Sequence, residues 1–323
     1  MTAARTFSAV TLEAAKDARD RLASIVVRTP LVRLPPDIAN AEIHLKLESL
    51  QPIGSFKLRG AANAMALADK RDLDRGVYTA SAGNMAQGVA WCARELGVAC
   101  KVIVPEQAPK AKTDAIERLG GEVIRKPFEE WWQTILNHGY PGMDEFFVHP
   151  FADDAVMAGN GTIALEIFDD LDEVDAILVP YGGGGLLCGI AAVARAVSPR
   201  TEVYAVEVET AAPLTASLAA DKPTPVTYTR TFIDGMGSGG VSEEMWPLVK
   251  SLLAGTIVVT VAQVAAAVKL LAERCRVVAE GAGAASVAAA LSGALDGKRV
   301  VCIVSGGNID VDKLTTILRG EIP

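Results

Sequence analysis

The chain has 323 residues, of which 50% are hydrophobic and 22% charged, a composition typical of a folded globular protein rather than a disordered one. At the usual ~150 residues per domain, this length predicts about two domains. With 31 Lys and Arg against 39 Asp and Glu, the formal net charge is −8. Such a surface repels phosphate backbones and anionic membranes, so neither nucleic acid nor a membrane is expected as a partner.

Cysteine usage and the N-terminus favour a cytoplasmic location. Five cysteines, an odd number without a CxxC pair, do not suggest a disulfide framework in a chain that can build its own core. The N-terminal segment, residues 1–20, carries Glu13 and Asp17 and lacks the apolar region of a signal peptide. Two uncharged runs, residues 176–194 and 251–268, contain glycine, serine, threonine or glutamine, and we predict in each a buried strand followed by an apolar helix rather than a membrane span.

Short apolar runs alternate with helical stretches along most of the chain. Strands are predicted at residues 77–80, 100–104, 122–126, 176–180, 203–208, 256–261 and 300–304. Helices are predicted at residues 61–68, 85–96, 110–119 and 186–197, with Gly97 and Gly120 at two helix ends and a capping box from Thr260 to Gln263. This alternation predicts an α/β fold of parallel sheets with flanking helices, in which ligands bind at the carboxyl ends of strands.

Residues 128–150 interrupt this rhythm with a cluster of aromatic side chains. We predict a crossover between domains there, whose aromatics pack a loop onto the sheets; a stacking surface for a ligand is the alternative.

Four consecutive glycines, Gly182 to Gly185, follow one predicted strand and precede a predicted helix. Several backbone N–H groups can therefore converge on an anion at a helix N-terminus, which is typical of a phosphate-binding loop. A dinucleotide fingerprint would require glycine at Leu187 or Cys188, and no Walker A loop exists, so neither a dinucleotide nor a nucleoside triphosphate is favoured.

Two further loops follow strands in the same way. Ser81 to Asn84 (SAGN) and Ser305 to Asn308 (SGGN) offer hydroxyl, amide and backbone N–H donors that suit a carboxylate or another polar ligand. The alternative for each is a helix N-cap with no further role.

Lys57 is the candidate reactive residue. The three histidines lie in no nucleophile motif, and no HExxH or Cys/His cluster indicates a metal, so hydrolase and metalloenzyme chemistry are not favoured. Phe56 and Leu58 flank Lys57 in the segment GSFKLRG. Such a lysine is either a solvated surface residue or, when desolvated, an amine of lowered pKa that can form a Schiff base.

The ordered set of these motifs resembles the serine/threonine dehydratases (threonine ammonia-lyases) of the fold-type II pyridoxal phosphate enzymes. The similarity runs from Arg28-Thr29-Pro30-Leu31 through GSFKLRGA, SAGNMAQG and GGGGL to SGGN, over nearly the whole chain. It implies two open, mostly parallel sheets with flanking helices (a tryptophan synthase β-like fold), pyridoxal 5′-phosphate as cofactor and a homodimer. The implied reaction converts a β-hydroxy-α-amino acid such as L-threonine or L-serine into a 2-oxo acid and ammonia.

The resemblance also implies a role for each matching residue. Lys57 would hold the cofactor as a Schiff base and remove the Cα proton, with Ser81 as the other catalytic residue. The cofactor would contact Phe56, Lys57, Asn84, Gly182, Gly183, Gly184, Gly185, Leu186, Gly235, Glu280 and Ser305. The four glycines would bind its phosphate, Asn84 would face its 3′-hydroxyl, and Ser305 would bond its pyridine nitrogen. The substrate carboxylate would bind at Ser81, Ala82, Gly83, Asn84 and Met85.

Three departures from the family pattern bear on the chemistry. Ala82 replaces a serine that acts as an acid in related serine racemases, which argues against racemisation. Met85 replaces the usual histidine and indicates either a bulkier or more apolar β-substituent, or packing alone. Glu207 matches one ligand of a divalent cation in some relatives, but the aspartate position falls at Pro213, so no metal is expected.

Alternatives remain open for the function. Within the enzymes, these are a racemase or a β-replacement enzyme on the same scaffold; from another class, a non-catalytic binder of pyridoxal phosphate or amino acids. A nicotinamide oxidoreductase is a more distant third.

The motifs predict that the second domain is an insertion. Residues 1–74 and 150–323 would form a large cofactor-binding domain, and residues 75–149 a small domain with the loop for the substrate carboxylate. The cofactor would lie between the two.

Overall fold

The computed structural model describes residues 5–323. The first four residues, part of the N-terminal segment for which no signal peptide is expected, lie outside the described residues. Within this range the chain forms ten strands: Leu31–Arg33 (β1), Glu42–Lys46 (β2), Val77–Ala80 (β3), Cys100–Pro105 (β4), Glu122–Lys126 (β5), Phe146–Phe147 (β6), Ala176–Pro180 (β7), Glu202–Val208 (β8), Gly255–Val259 (β9) and Arg299–Ile303 (β10).

Thirteen α-helices lie between and around these strands in the same range. They are Leu12–Leu22 (α1), Lys57–Leu67 (α2), Lys70–Asp74 (α3), Asn84–Leu96 (α4), Lys110–Arg118 (α5), Phe128–Leu136 (α6), Asp154–Asp170 (α7), Gly185–Val197 (α8), Pro213–Ala220 (α9), Trp246–Leu252 (α10), Val261–Leu270 (α11), Gly281–Ala290 (α12) and Val311–Leu318 (α13). A 3-10 turn spans Glu48–Leu50, and a π-helical turn follows α11 at Leu271–Cys275.

The larger sheet has six strands in the order β1-β2-β10-β7-β8-β9. Only β1 pairs in the antiparallel sense, with β2, and the other neighbours are parallel. Alternate residues of β7 enter different apolar clusters: Leu178 packs with α11 and α12, whereas Ile177 and Val179 pack with α7 and α8. Helices therefore cover both faces of this sheet, which explains the nearly continuous apolar sequence of β7.

The smaller sheet is parallel throughout, with the order β5-β4-β3-β6. On β3, Val77 joins the cluster that contains α2 and α4, while Tyr78 and Ala80 face the aromatic residues of α6. The predicted α/β class with two mostly parallel sheets is thus confirmed. All strands of the smaller sheet fall within residues 77–147, and the division of the chain into two domains stays a prediction.

Two expectations about local structure are wrong. Residues 128–150 do not interrupt the alternation of strands and helices, because they contain α6 and the short strand β6, which completes the smaller sheet beside β3. Their aromatic side chains Trp131 and Trp132 pack against this sheet, as predicted, and a crossover between domains stays a prediction. Helix α2 begins at Lys57 and not at Ala61, so the candidate lysine lies in its first turn. By contrast, the capping box of Thr260 and Gln263 is present at the start of α11.

The first uncharged run, residues 176–194, forms strand β7 followed by helix α8. The second, residues 251–268, contains the end of α10, strand β9 and most of α11. Across residues 5–323, every helix falls short of the length and apolarity that crossing a membrane requires.

Candidate active site

Lys57 lies in the first turn of α2 with its amine inside the protein. The amine donates a hydrogen bond to the Pro150 carbonyl at 2.5 Å and lies 5.2 Å from the centroid of the Phe56 ring. Burial lowers the pKa of Lys57 to about 8. A neutral amine is therefore accessible near neutral pH, as a nucleophile or base requires.

The SGGN loop, residues 305–308, follows β10 and pairs with the segment before Lys57. The Phe56 N–H donates to the Ser305 carbonyl at 3.0 Å, and the Gly307 N–H donates to the Gly54 carbonyl at 2.9 Å. The loop is thereby held against the start of α2, and the buried Ser305 lies beside the residue that precedes the lysine.

A hydrogen-bonded network joins this loop to the SAGN loop, residues 81–84. The Asn84 side-chain amide donates to Glu280 Oε1 at 2.7 Å, and the Asn308 amide donates to Asn84 Oδ1 at 2.8 Å. Burial raises the pKa of Glu280 to about 7, although the bond from Asn84 opposes this rise. A Cβ at Gly235 would lie 3.3 Å from Glu280 Oε1, so the Gly235 loop closes over the same carboxyl group.

The GGGG loop, residues 182–185, contains three glycines that the protein itself requires. A Cβ at Gly183 would lie 2.2 Å from Cγ of Phe151, and one at Gly185 would lie 2.5 Å from the Phe151 carbonyl oxygen. Gly184 has a φ of +93°, which side chains rarely adopt.

Gly182 differs from the other three glycines of this loop. A Cβ there would meet no protein atom closer than 3.8 Å, so protein packing does not exclude a side chain. The loop leads directly into α8, whose first N–H groups have no acceptors within the helix. Open space beside free N–H donors fits an anionic group at this position.

Some predicted contact residues bury their side chains elsewhere. Met85 and Leu186 are 1% and 6% exposed, and their side chains pack within apolar clusters. For Met85, this burial favours a packing role over one in accommodating a bulkier or more apolar β-substituent. Ser81 accepts a hydrogen bond from the Gly83 N–H at 3.2 Å, and a Cβ at Gly83 would meet nothing within 4 Å. The SAGN loop thus borders open space.

Sequence reasoning assigned no role to Pro150, Phe151 or Asn308. Asn308 belongs to the SGGN loop, and that motif was the available signal for it. Pro150 and Phe151 lie in an interrupted region without periodicity, and their roles depend on contacts with residues far away in the chain, such as the hydrogen bond from Lys57.

A buried ion network anchors α2 immediately after the candidate lysine. Arg59 donates to Glu48 at 2.8 Å and to Glu166 at 2.7 Å, and Lys46 donates to Glu166 at 2.5 Å. Two cations and two anions balance at this site, and all four side chains are at most 5% exposed. Such a network is costly to break, and it fixes the first turn of α2 against β2 and α7.

Glu207 is engaged by the protein itself. Its carboxylate accepts hydrogen bonds at 2.8 Å from the N–H groups of Leu214 and Thr215, and another at 2.7 Å from the Thr215 hydroxyl. The carboxylate therefore caps α9, although burial raises the pKa of Glu207. This arrangement gives Glu207 a structural role at the start of α9.

The described residues contain one group with metal-like spacing, formed by His138, His149 and Glu244, whose ligand atoms lie within 4.8 Å of one another. Both ring nitrogens of His149 already form hydrogen bonds, Nε2 to the Ile135 carbonyl and Nδ1 to two backbone N–H groups. No lone pair of this histidine is left for a metal.

Known proteins resemble this chain in sequence and in fold. The family model described as pyridoxal-phosphate dependent enzyme matches residues 22–306. An L-threonine ammonia-lyase of Thermotoga maritima is 39% identical over 316 residues, covering 96% of this chain and 78% of that protein. The structure of maize serine racemase matches with a TM-score of 0.89 at 30% identity, covering 97% of this chain and 98% of that one. Threonine deaminase isoform 2 of Solanum lycopersicum matches with a TM-score of 0.84 at 30% identity, covering 99% and 98%.

Proposed function

Because the chain belongs to the pyridoxal-phosphate dependent enzyme family, we propose that it deaminates L-threonine or L-serine, releasing a 2-oxo acid and ammonia. The observation that carries this proposal is the Lys57 amine, which lies inside the protein on the Pro150 carbonyl and has a pKa of about 8. The segment before Lys57 is hydrogen-bonded to the SGGN loop, and that loop is hydrogen-bonded to the SAGN loop. The relatives named L-threonine ammonia-lyase and threonine deaminase support the same reaction.

The residues around Lys57 fit pyridoxal phosphate. The open space at Gly182, next to the N-terminus of α8, suits its phosphate, and the buried amine suits its aldehyde. The residues that hold the cofactor are then Phe56, Lys57, Asn84, Gly182, Gly183, Gly184, Gly185, Leu186, Gly235, Glu280 and Ser305.

Each of these groups has a task that follows from its surroundings. The cofactor, when bound, supplies a conjugated electron sink for the electron pair left at the substrate Cα. Lys57, neutral in a sizeable fraction near its pKa of about 8, takes the proton from that carbon at Nζ. The Ser81 hydroxyl and the first N–H groups of α4 bind the substrate carboxylate. Glu280, of pKa about 7, holds or releases a proton at the carboxyl oxygen beside Asn84.

Racemisation is the second candidate, favoured by the similarity to maize serine racemase. A racemase needs a proton donor on each face of the Cα. Lys57 supplies the proton donor on one face, while Ala82, in the substrate loop, has no proton to donate on the other. Dehydration therefore remains the better-supported reaction.

The arrangement of the chain belongs to the same proposal. A large domain of residues 1–74 and 150–323 holds the cofactor, and a small domain of residues 75–149 presents the substrate loop. A homodimer is consistent with the general preference for two-fold assemblies. Five free thiols, four of them buried, are consistent with a cytoplasmic location.

A 2-oxo acid release assay tests the function. Purified protein with added pyridoxal phosphate is offered threonine, serine and aryl-serines, with chiral analysis of the remaining amino acid. We expect 2-oxo acid from threonine or serine, lost in Lys57→Ala and kept in the exposed control Lys110→Ala. A protein that carries the cofactor but releases no 2-oxo acid from any of these substrates contradicts the proposal, and racemised substrate would favour the second candidate.

A further inference from the structure

His149 lies at the start of a tight turn that borders the candidate site. Its Nδ1 accepts hydrogen bonds from the N–H groups of Phe151 at 3.2 Å and Ala152 at 2.7 Å. Its Nε2 lies 3.1 Å from the Ile135 carbonyl, in the last turn of α6. One imidazole thus connects the turn at residues 149–152 to a helix of the smaller sheet.

These partners determine the tautomer of His149. A carbonyl can only accept, so Nε2 carries the proton, and two N–H donors require a lone pair at Nδ1. Burial, together with the neighbouring His138, lowers the pKa of His149 well below its usual range. The ring therefore stays neutral, and it is 2% exposed.

The two residues after His149 touch the site directly. The Pro150 carbonyl accepts the hydrogen bond from the Lys57 amine at 2.5 Å. The Phe151 ring occupies the space that a Cβ at Gly183 would need, and it meets the His149 ring edge-on at 4.7 Å between centroids. The direction of this carbonyl and the place of this ring both depend on the conformation of the turn.

We propose that His149 is a positioning residue for Lys57, because its Nδ1 lone pair holds the turn that presents the Pro150 carbonyl to the amine and the Phe151 ring to the GGGG loop. The inference rests on the proposed function, in which Lys57 binds the cofactor. His149 itself takes no part in proton transfer to the substrate.

Two variants separate positioning from bulk packing. His149→Asn keeps an acceptor near the place of Nδ1, whereas His149→Phe keeps the ring and its stacking but offers the two buried N–H groups no acceptor. The readout is the rate at which each apoprotein takes up pyridoxal phosphate at Lys57, followed by the visible band and assigned by peptide mapping after reduction. Urea unfolding of each apoprotein records stability alongside.

We expect His149→Phe to slow cofactor uptake about tenfold or more, because leaving buried N–H donors unpaired is costly, and His149→Asn to restore the rate to within about threefold of the parent. Equal rates in the two variants, whether both normal or both slow, would overturn the inference. If His149→Phe does not fold, nitrogen NMR of the parent decides, since a proton on Nδ1 of His149 would also overturn it and one on Nε2 supports it. Failure of the parent to take up cofactor at Lys57 contradicts the proposed function instead.

Discussion

Two neighbouring glycines of the GGGG loop should respond in opposite ways to the same added methyl group. Gly182 and Gly183 both lack a left-handed φ, so alanine is compatible with the backbone at either position. They differ in what the new Cβ meets, namely open space at Gly182 and the Phe151 ring at Gly183. Gly182→Ala and Gly183→Ala are therefore a matched pair.

The magnitudes follow from the distances. At Gly183 the Cβ would lie 2.2, 2.3 and 2.7 Å from three atoms of the Phe151 ring. The ring must retreat by about 1.3 Å or more to reach ordinary contact. Overpacking of this kind destabilises a fold by about 1–3 kcal/mol. At Gly182 the nearest atom is 3.8 Å away, so the smaller entropy of the unfolded alanine chain should stabilise the apoprotein by about 0.4–1 kcal/mol. If the cofactor phosphate lies there, the methyl group should weaken its binding by about tenfold or more.

Urea unfolding of the apoproteins and titration with pyridoxal phosphate measure both effects. We expect Gly183→Ala to lower the free energy of unfolding, and Gly182→Ala to leave it unchanged or raised while cofactor affinity falls. Two results would contradict a phosphate site at Gly182: destabilisation of the apoprotein by Gly182→Ala as large as that by Gly183→Ala, or an unchanged cofactor affinity in Gly182→Ala.

Three further predictions concern charged side chains. In the apoprotein, acylation of Lys57 should accelerate with a midpoint near pH 8, its lowered pKa, and a midpoint near the ~10.4 of an ordinary lysine would contradict the burial argument. Glu280 has a pKa of about 7 in the folded protein, above the usual 4.5. Proton binding to Glu280 therefore stabilises the folded apoprotein fully at pH below 4.5, and this stabilisation is lost as the pH rises through about 7. In Glu280→Gln, the free energy of unfolding, measured with urea, should decline less steeply over this pH range. An unchanged pH profile in this variant would contradict the raised pKa of Glu280. Glu166→Gln leaves Lys46 and Arg59 short of one anion and should cost about 3–5 kcal/mol in urea unfolding, whereas a loss below about 1 kcal/mol would show that the network contributes little.

Much of the fold could be predicted from the sequence, because buried parallel strands have a local signature. The strands at 77–80 and 176–180 lie at their predicted residues, since each is a short, mostly apolar and fully buried run. The strand at 122–126 also lies where it was predicted, although only Val123 and Ile124 are apolar in it. The strand β6 could not be predicted, because two residues carry no periodicity.

The three loops of the site were also predictable, since each follows a strand: two carry glycine with serine and asparagine, and the third is four consecutive glycines. Their mutual contacts were not. Asn84 meets Glu280 across 196 residues of sequence, and Lys57 meets Pro150 across 93. The balanced ion network around Arg59 likewise forms only when β2, the turn at Glu48–Leu50, α2 and α7 pack together, so nothing in the segment GSFKLRG alone reveals it.

In the proposed function, the Lys57 amine carries pyridoxal phosphate. Borohydride reduction of the cofactor-loaded protein, followed by digestion and mass spectrometry, tests it most directly. We predict one pyridoxyl-modified peptide, which contains Lys57 and disappears in Lys57→Ala but not in Lys110→Ala. A modified lysine elsewhere, or an unmodified Lys57 in protein that still deaminates its substrate, would contradict the account.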